Sequence, residues 1–246
     1  MAIALLADIH GNLEALEACL RHVRGSDVGR LVFLGDYVGY GADPEAVTQK
    51  IMVAVAEGAI AVKGNHDAAI ADTGISMNEL ARRAIDWTRS ELSAEASAFL
   101  GQLPLTVQEY SRLYVHADAS SPAEWNYVLD SEDAARSLAA TAMPVTFCGH
   151  VHEPAIYSRS MTGKLTRFVP VADMAIPLMP QRRWLVVLGS VGQPRDGVAA
   201  ASLAILDEER NELTFRRVPY DIETAARKII AAGLPPAFAE RLRHGR

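Results

Sequence analysis

The sequence predicts one α/β domain over residues 1–246, and three observations carry that reading. Short, nearly continuous apolar runs rich in β-branched residues recur along the chain, as expected of strands buried on both faces. Between them, apolar residues repeat at helical spacing. Each run breaks off in polar residues, often beside glycine. In alternating strand–helix chains the strand ends share a rim, and ligands bind beyond the carboxyl ends of the strands.

Six runs read as strands. Ile3–Ala7 ends at Asp8-Ile9-His10-Gly11-Asn12, and Leu31–Leu34 at Gly35-Asp36. Ala59–Val62 ends at Lys63-Gly64-Asn65-His66-Asp67, and Leu113–Val115 at His116. Val145–Cys148 ends at Gly149-His150-Val151-His152, and Trp184–Leu188 at Gly189-Ser190. Leu13, Leu16, Leu20 and Val23 mark a helix after Asn12, a residue type suited to an N-cap. Further helices are expected over Glu45–Glu57, Asn78–Leu92, Ala94–Leu100 and Ser131–Ala140. The last third reads as hairpin strands around Ile156, Phe168, Leu203 and Phe215. A helix from Asp221 to Gly233 follows, its isoleucines Ile222, Ile229 and Ile230 expected on the sheet, and then a short tail helix after Pro235-Pro236.

Half of the 246 residues are apolar and 22% are charged, which is ordinary for a globular protein. The formal charge of −6 argues against non-specific binding to nucleic acid or to an anionic membrane. No apolar run is long enough to span a membrane, and the first has neither the basic flank nor the cleavage site of a signal peptide. The two cysteines, Cys19 and Cys148, read as small core residues, so a reducing cytoplasmic compartment is expected.

Five of the seven histidines, His10, His66, His116, His150 and His152, stand at strand ends beside Asp8, Asp36 and Asn65. Gathering so many polar groups is costly unless something pairs with them. A nitrogen-and-oxygen set without cysteine suits Mn, Fe, Co, Ni or Zn and departs from a closed structural zinc site. Asp8, His10, Asp36, Asn65, His116, His150 and His152 are too many ligands for one ion. They suffice for two divalent ions if one carboxylate bridges, the arrangement that clamps in-line displacement at phosphorus.

The ordered blocks Asp8-x-His10, Gly35-Asp36, Gly64-Asn65-His66-Asp67, His116 and Gly149-His150-x-His152 resemble the calcineurin-like metallophosphoesterases. Gly189-Ser190-Val191-Gly192-Gln193-Pro194-Arg195-Asp196-Gly197 looks like a further signature of a prokaryotic branch. The resemblance implies a four-layer sandwich, two mixed β-sheets face to face with helices outside. It implies that Asp8, His10, Asp36 and His152 hold one metal and that Asp36, Asn65, His116 and His150 hold the other. His66 would then stabilise developing charge and protonate the leaving alkoxide, while a water shared by the ions attacks phosphorus.

Two stretches depart from the family pattern. Many members carry a second Asp and then Arg-Gly after the bridging-Asp block, whereas this chain reads Gly39-Tyr40-Gly41. The missing arginine argues against a protein phosphatase. Arg195 is the candidate replacement as a substrate-binding residue, because a guanidinium matches two phosphate oxygens. The competing reading pairs Arg195 with Asp196. The second departure is His116-Ala117-Asp118-Ala119, where Asp118 either faces the site or caps a turn facing solvent. Asp67 reads as structural or as orienting His66. Trp125 and Tyr127 read as packing, with a substrate rim as the alternative, and Arg82-Arg83 as a solvated helix face.

The function expected is hydrolysis of a phosphate ester, a small phosphodiester or a nucleotide, at two metals. The alternatives are a catalytically weak protein-binding scaffold and a nuclease. The expected partner is a small phosphorylated substrate, not nucleic acid or a membrane.

Overall fold

The computed structural model describes residues 1–246. The chain opens with β1 (Ala2–Leu6), α1 (Leu13–Arg24), β2 (Val28–Phe33), α2 (Pro44–Ala56) and β3 (Ile60–Ala61), three parallel strands joined by helical crossovers. Three helices follow: α3 (Asn65–Ala71), α4 (Glu79–Glu91) and α5 (Ala94–Gln102). The hairpin β4 (Thr106–Glu109) and β5 (Arg112–Val115) leads through a 3-10 turn at Pro122–Glu124 to α6 (Ser131–Ala139) and β6 (Val145–His152). Then come β7 (Ala155–Ser160), β8 (Leu165–Phe168), β9 (Ala175–Pro177) and β10 (Arg182–Gly189). The chain ends with β11 (Ala201–Asp207), β12 (Glu212–Val218), α7 (Ile222–Ala231) and α8 (Pro236–His244).

The strands form two six-stranded mixed sheets, ordered β3-β2-β1-β11-β12-β9 and β4-β5-β6-β10-β7-β8. The period of two along β1 decides the layers. Ile3, Leu5 and Ala7 point between the sheets, with Phe147, Trp184 and Phe215, whereas Ala4 and Leu6 point to the helices, with Leu16 and Cys19. Val115, Cys148, Leu185 and Val187 on the far face of the second sheet meet Ala134 and Leu138 of α6. The four-layer sandwich expected from the sequence is thus the architecture found.

Local chemistry sets the helix starts. Asn12, Asn78, Ser93, Asp130 and Asp221 each accept a backbone N–H of the first turn, and Pro44 opens α2. Three expectations change. The Gly64-Asn65-His66-Asp67 block opens a helix, α3, instead of lying in a strand-end loop. β6 runs past Cys148 to His152, its pairing with β10 shifting register between Val187 and Gly189, so His150 and His152 lie on an irregular strand end. α7 packs on α8 and α1, and its Ile230 is exposed, so it does not lie on the sheet. The edge strands β4 and β9, short and largely exposed, carry no apolar run for a sequence reading to find.

Arg82 is also more than a solvated face: it donates to the Thr73 and Ile75 carbonyls and ties down the loop before α4. Cys19 and Cys148 are buried free thiols, and burial raises the Cys19 thiol to about 12. No helix is long and apolar enough to cross a membrane.

Phe147 is fully buried between the sheets and stacks on Tyr114 at 5.8 Å between ring centroids. Phe147→Ala is expected to lower unfolding free energy by about 3–5 kcal/mol, read from the midpoint of a urea titration.

Candidate metal centre

The seven candidate ligands are all buried, and they meet where the ends of β1, β2, β5 and β6 adjoin the start of α3. The strand-end loops are zipped by backbone bonds. Asp8 N–H donates to Gly35 O at 3.1 Å, His10 N–H to Asp36 O at 2.9 Å and Gly192 N–H to Asp8 O at 2.9 Å. Asp8, His10, Asp36, His150 and His152 all have left-handed backbones, with φ between 52° and 67°. Asp and His tolerate that region better than most residues, yet each such residue costs of order 1–3 kcal/mol. Concentrated strain of this kind marks a site whose side chains must point one way.

Their donor atoms converge. Asp8, His10 and His152 form one group, Asp36, His116 and His150 a second, each within 4.8 Å. Asp36 Oδ2 lies 3.6 Å from His10 Nε2 and 3.4 Å from His116 Nε2, so one carboxylate oxygen faces both groups. Asp36 Oδ1 is engaged by the His66 backbone N–H at 2.8 Å. Asn65 Oδ1 lies 3.2 Å from His116 Nε2, which places the amide with the second group. His66 also comes within reach of His10 and Asp36, but those two already belong to the other groups.

The tautomers show why the cluster suits metal. His10 Nδ1 faces Val38 O at 3.1 Å and His152 Nδ1 faces Gln193 O at 2.7 Å. A carbonyl only accepts, so each Nδ1 carries a proton and each ring turns its Nε2 towards the cluster. Those two Nε2 atoms stand 3.1 Å apart. Opposed lone pairs repel unless a cation answers both, and a backbone carbonyl behind the ring is the usual orienting partner of a metal-bound histidine. His116 likewise donates from Nδ1 to a backbone carbonyl, Leu34 O at 2.7 Å. His150 turns Nδ1 to the cluster, 3.2 Å from His116 Nε2, and its buried Nε2 has no partner.

Charge within the cluster is strongly biased. Burial holds His10 well below its ordinary range and, with neighbouring His116, pulls His150 down to about 3. Burial would also depress His116, but the Asp36 carboxylate overrides it and raises the ring to about 9. Burial alone would raise Asp36, yet His116, His66 and His10 hold it well below the carboxylate range. The metal-free cluster therefore offsets Asp36 with a proton on His116, and metal binding would displace that proton.

Asp67 holds the framework. It accepts the backbone N–H groups of Gly64, Asp36 and Tyr37 at 2.8–2.9 Å, fixing the Asp36 loop on α3. It makes no hydrogen bond to the His66 ring, so the structural reading is the one found. Glycine is required beside the carboxylates: a Cβ on Gly64 would lie 2.1 Å from Asp36 Oδ1, and one on Gly149 would lie 2.6 Å from Asp8 Oδ2.

Above the cluster lies a recess of about 120 Å³, whose lining includes Asp36, Asn65, His66, His150 and His152 with Tyr40, Tyr127, Asn78 and Arg195. Arg195 is the only arginine or lysine in it. Asp196 pairs instead with Arg217, and the Arg195 guanidinium forms no salt bridge, donating one hydrogen bond to Gln193 Oε1 at 3.1 Å. His66 is buried with Nδ1 unpartnered, and burial outweighs Asp36 to bring its pKa to about 4. Gly39 leaves room for that ring, since a Cβ there would lie 2.3 Å from His66 Nδ1.

Asp118 is turned away from the recess. It caps a turn by accepting from Ser120 and pairs with Arg136, but it is buried and does not face solvent. Asn12 is committed to capping α1 and to Gly192 O. Of the aromatic lining residues, Tyr40 escaped the sequence reading, and Tyr127 takes the rim position weighed there as the alternative. Tyr127 stacks on His150 at 4.0 Å with its other face open. Tyr40 lies against His10 and His66 at 4.7 and 4.6 Å. Trp125 stands further off, 6.1 Å from His116.

Residues 1–211 match the profile of the calcineurin-like phosphoesterase superfamily domain. An uncharacterised protein of Methanocaldococcus jannaschii is 34% identical over 251 residues, spanning 99% of this chain and 98% of its own. The crystal structure of a metallophosphoesterase from Sphaerobacter thermophilus is 32% identical. It has a TM-score of 0.87, covering 100% of this chain and 99% of that one. A hypothetical protein from Pyrococcus horikoshii shares the fold at 19% identity and a TM-score of 0.79, covering 100% of this chain and 98% of its own. The chain belongs to the calcineurin-like phosphoesterase superfamily and is a metal-dependent phosphoesterase.

Proposed function

We propose that this enzyme hydrolyses a small phosphodiester or nucleotide at two divalent ions. Asp8, His10, Asp36 and His152 would hold one, Asp36, Asn65, His116 and His150 the other, with Asp36 common to both sets. The observation that carries this reading is the opposed Nε2 lone pairs of His10 and His152, 3.1 Å apart in a buried site. Imidazole, carboxylate and amide donors suit Mn, Fe, Co, Ni or Zn. Bound ions would supply Lewis acidity to water and to the phosphoryl oxygens.

The chain's own residues do the rest. Arg195 binds the phosphoryl group through its two-pronged guanidinium. His66 faces the recess and donates its proton to the leaving oxygen. Its resting ring is neutral, and the negative charge of a bound phosphoryl group favours the protonated form that can act as an acid. The recess of about 120 Å³ with one cationic side chain fits a single phosphoryl group and lacks the basic track a nucleic-acid strand would need. Complete donor groups disfavour a silent scaffold. Residues 1–246 act as one domain, because Phe238 in the tail helix packs on Tyr40 of the recess at 5.0 Å.

His66→Ala is expected to keep its metals and to lose roughly 10²–10⁴-fold in kcat. Asp36→Ala is expected to lose metal as well as turnover, measured by elemental analysis beside a generic phosphodiester assay. Parental turnover in the His66 variant would remove that residue from the chemistry. Arg195→Lys keeps the charge but not the fork, and should lower kcat/KM by roughly tenfold or more with metal content unchanged. An unaltered kcat/KM would assign phosphoryl binding elsewhere.

A further inference from the structure

Tyr40 is held in a way that packing alone does not require. Its ring lies between His10 and His66 on one side and Phe238 of α8 on the other, at centroid distances of 4.6–5.0 Å. Its backbone is left-handed, with φ at 66°, a costly conformation for a bulky aromatic residue. The turn is pinned by the Gly41 N–H, which donates to His10 O at 2.8 Å, and a Cβ on Gly41 would lie 2.3 Å from that same oxygen. The backbone that carries the phenol is therefore tied to the His10 strand-end loop.

The side chain is more than nine-tenths buried, at 7% exposure, yet its hydroxyl makes no hydrogen bond within the protein and opens onto the recess. A hydroxyl on an otherwise buried, fixed ring and free of protein partners is available to hydrogen-bond whatever occupies the recess. Arg195 lines the same space, near enough for its charge to bear on the phenol. A rigid neutral donor and a guanidinium aimed into one recess above the metal ligands match the oxygens of a single tetrahedral anion.

We propose that the Tyr40 phenol is a substrate-binding group, donating a hydrogen bond to a phosphoryl oxygen that it shares with Arg195. The inference rests on the phosphoester reading of this recess and names a second side chain that grips the substrate. It also accounts for the buttress from α8, which fixes the phenol's position. Were Tyr40 only packing, phenylalanine would serve equally well.

The test is Tyr40→Phe, which keeps every ring contact and removes one oxygen. The Mn²⁺-loaded parent and variant would be compared in hydrolysis of bis(p-nitrophenyl) phosphate and p-nitrophenyl phosphate, and in calorimetric binding of inorganic phosphate. Metal content and melting temperature should match the parent. kcat/KM on the preferred ester should fall about tenfold or more, and the phosphate Kd should rise by a similar factor. A double variant with Arg195→Ala should be less impaired than the product of the two single effects, because both groups hold one anion. Parental kcat/KM and phosphate affinity in Tyr40→Phe would overturn the assignment while leaving the phosphoester reading intact. Loss of metal or of melting temperature in that variant would overturn it too, by making the hydroxyl structural. A parent that neither hydrolyses these esters nor binds phosphate would sink the phosphoester reading, and the Tyr40 assignment with it.

Discussion

Like-signed donor atoms brought together in a buried space are the constraint on which this structure turns. The Nε2 atoms of His10 and His152, the Asp36 carboxylate and the Asn65 amide oxygen converge from buried residues. A protein core cannot hold such a group without compensation. The fold supplies part of it through the backbone carbonyls behind the rings, which settle the tautomers, and through the proton that Asp36 draws onto His116. The remainder is the role of divalent cations in a metal-dependent phosphoesterase.

The backbone is bent to the same end. Five candidate ligands in the left-handed region are a concentrated local cost that the two sheets and their zipped end-loops absorb. Asp67 shows how: one carboxylate collects three backbone N–H groups and so fixes both the Asp36 loop and the start of α3. The glycines at 64 and 149 let main chain approach the carboxylates closer than any side chain permits. Stability and function are in tension here, as expected where side-chain direction matters more than local comfort.

The fold was largely legible in the sequence, because buried strands announce themselves as apolar runs and capped helices by Asn, Ser or Asp at their starts. The clustering of the candidate residues was legible because five histidines that each follow an apolar run have no common structural explanation. Other features were hidden for physical reasons. The α3 helix has only seven residues and begins inside the polar Asn65-His66-Asp67 block, so no apolar period reveals it. β4 and β9 are edge strands without a buried face. Tyr40 and Tyr127 look like any core or surface aromatic until the fold sets them against the histidines, and the burial of Asp118 depends on Arg136 eighteen positions away.

The central claim is that the converging donors are a two-metal centre. Elemental analysis of the full chain, after loading with Mn²⁺ and removal of free ion, tests it most directly. About two ions per chain is the predicted result, falling on substitution of the shared Asp36. A chain that retains no metal under any divalent ion offered, while remaining folded, would contradict it.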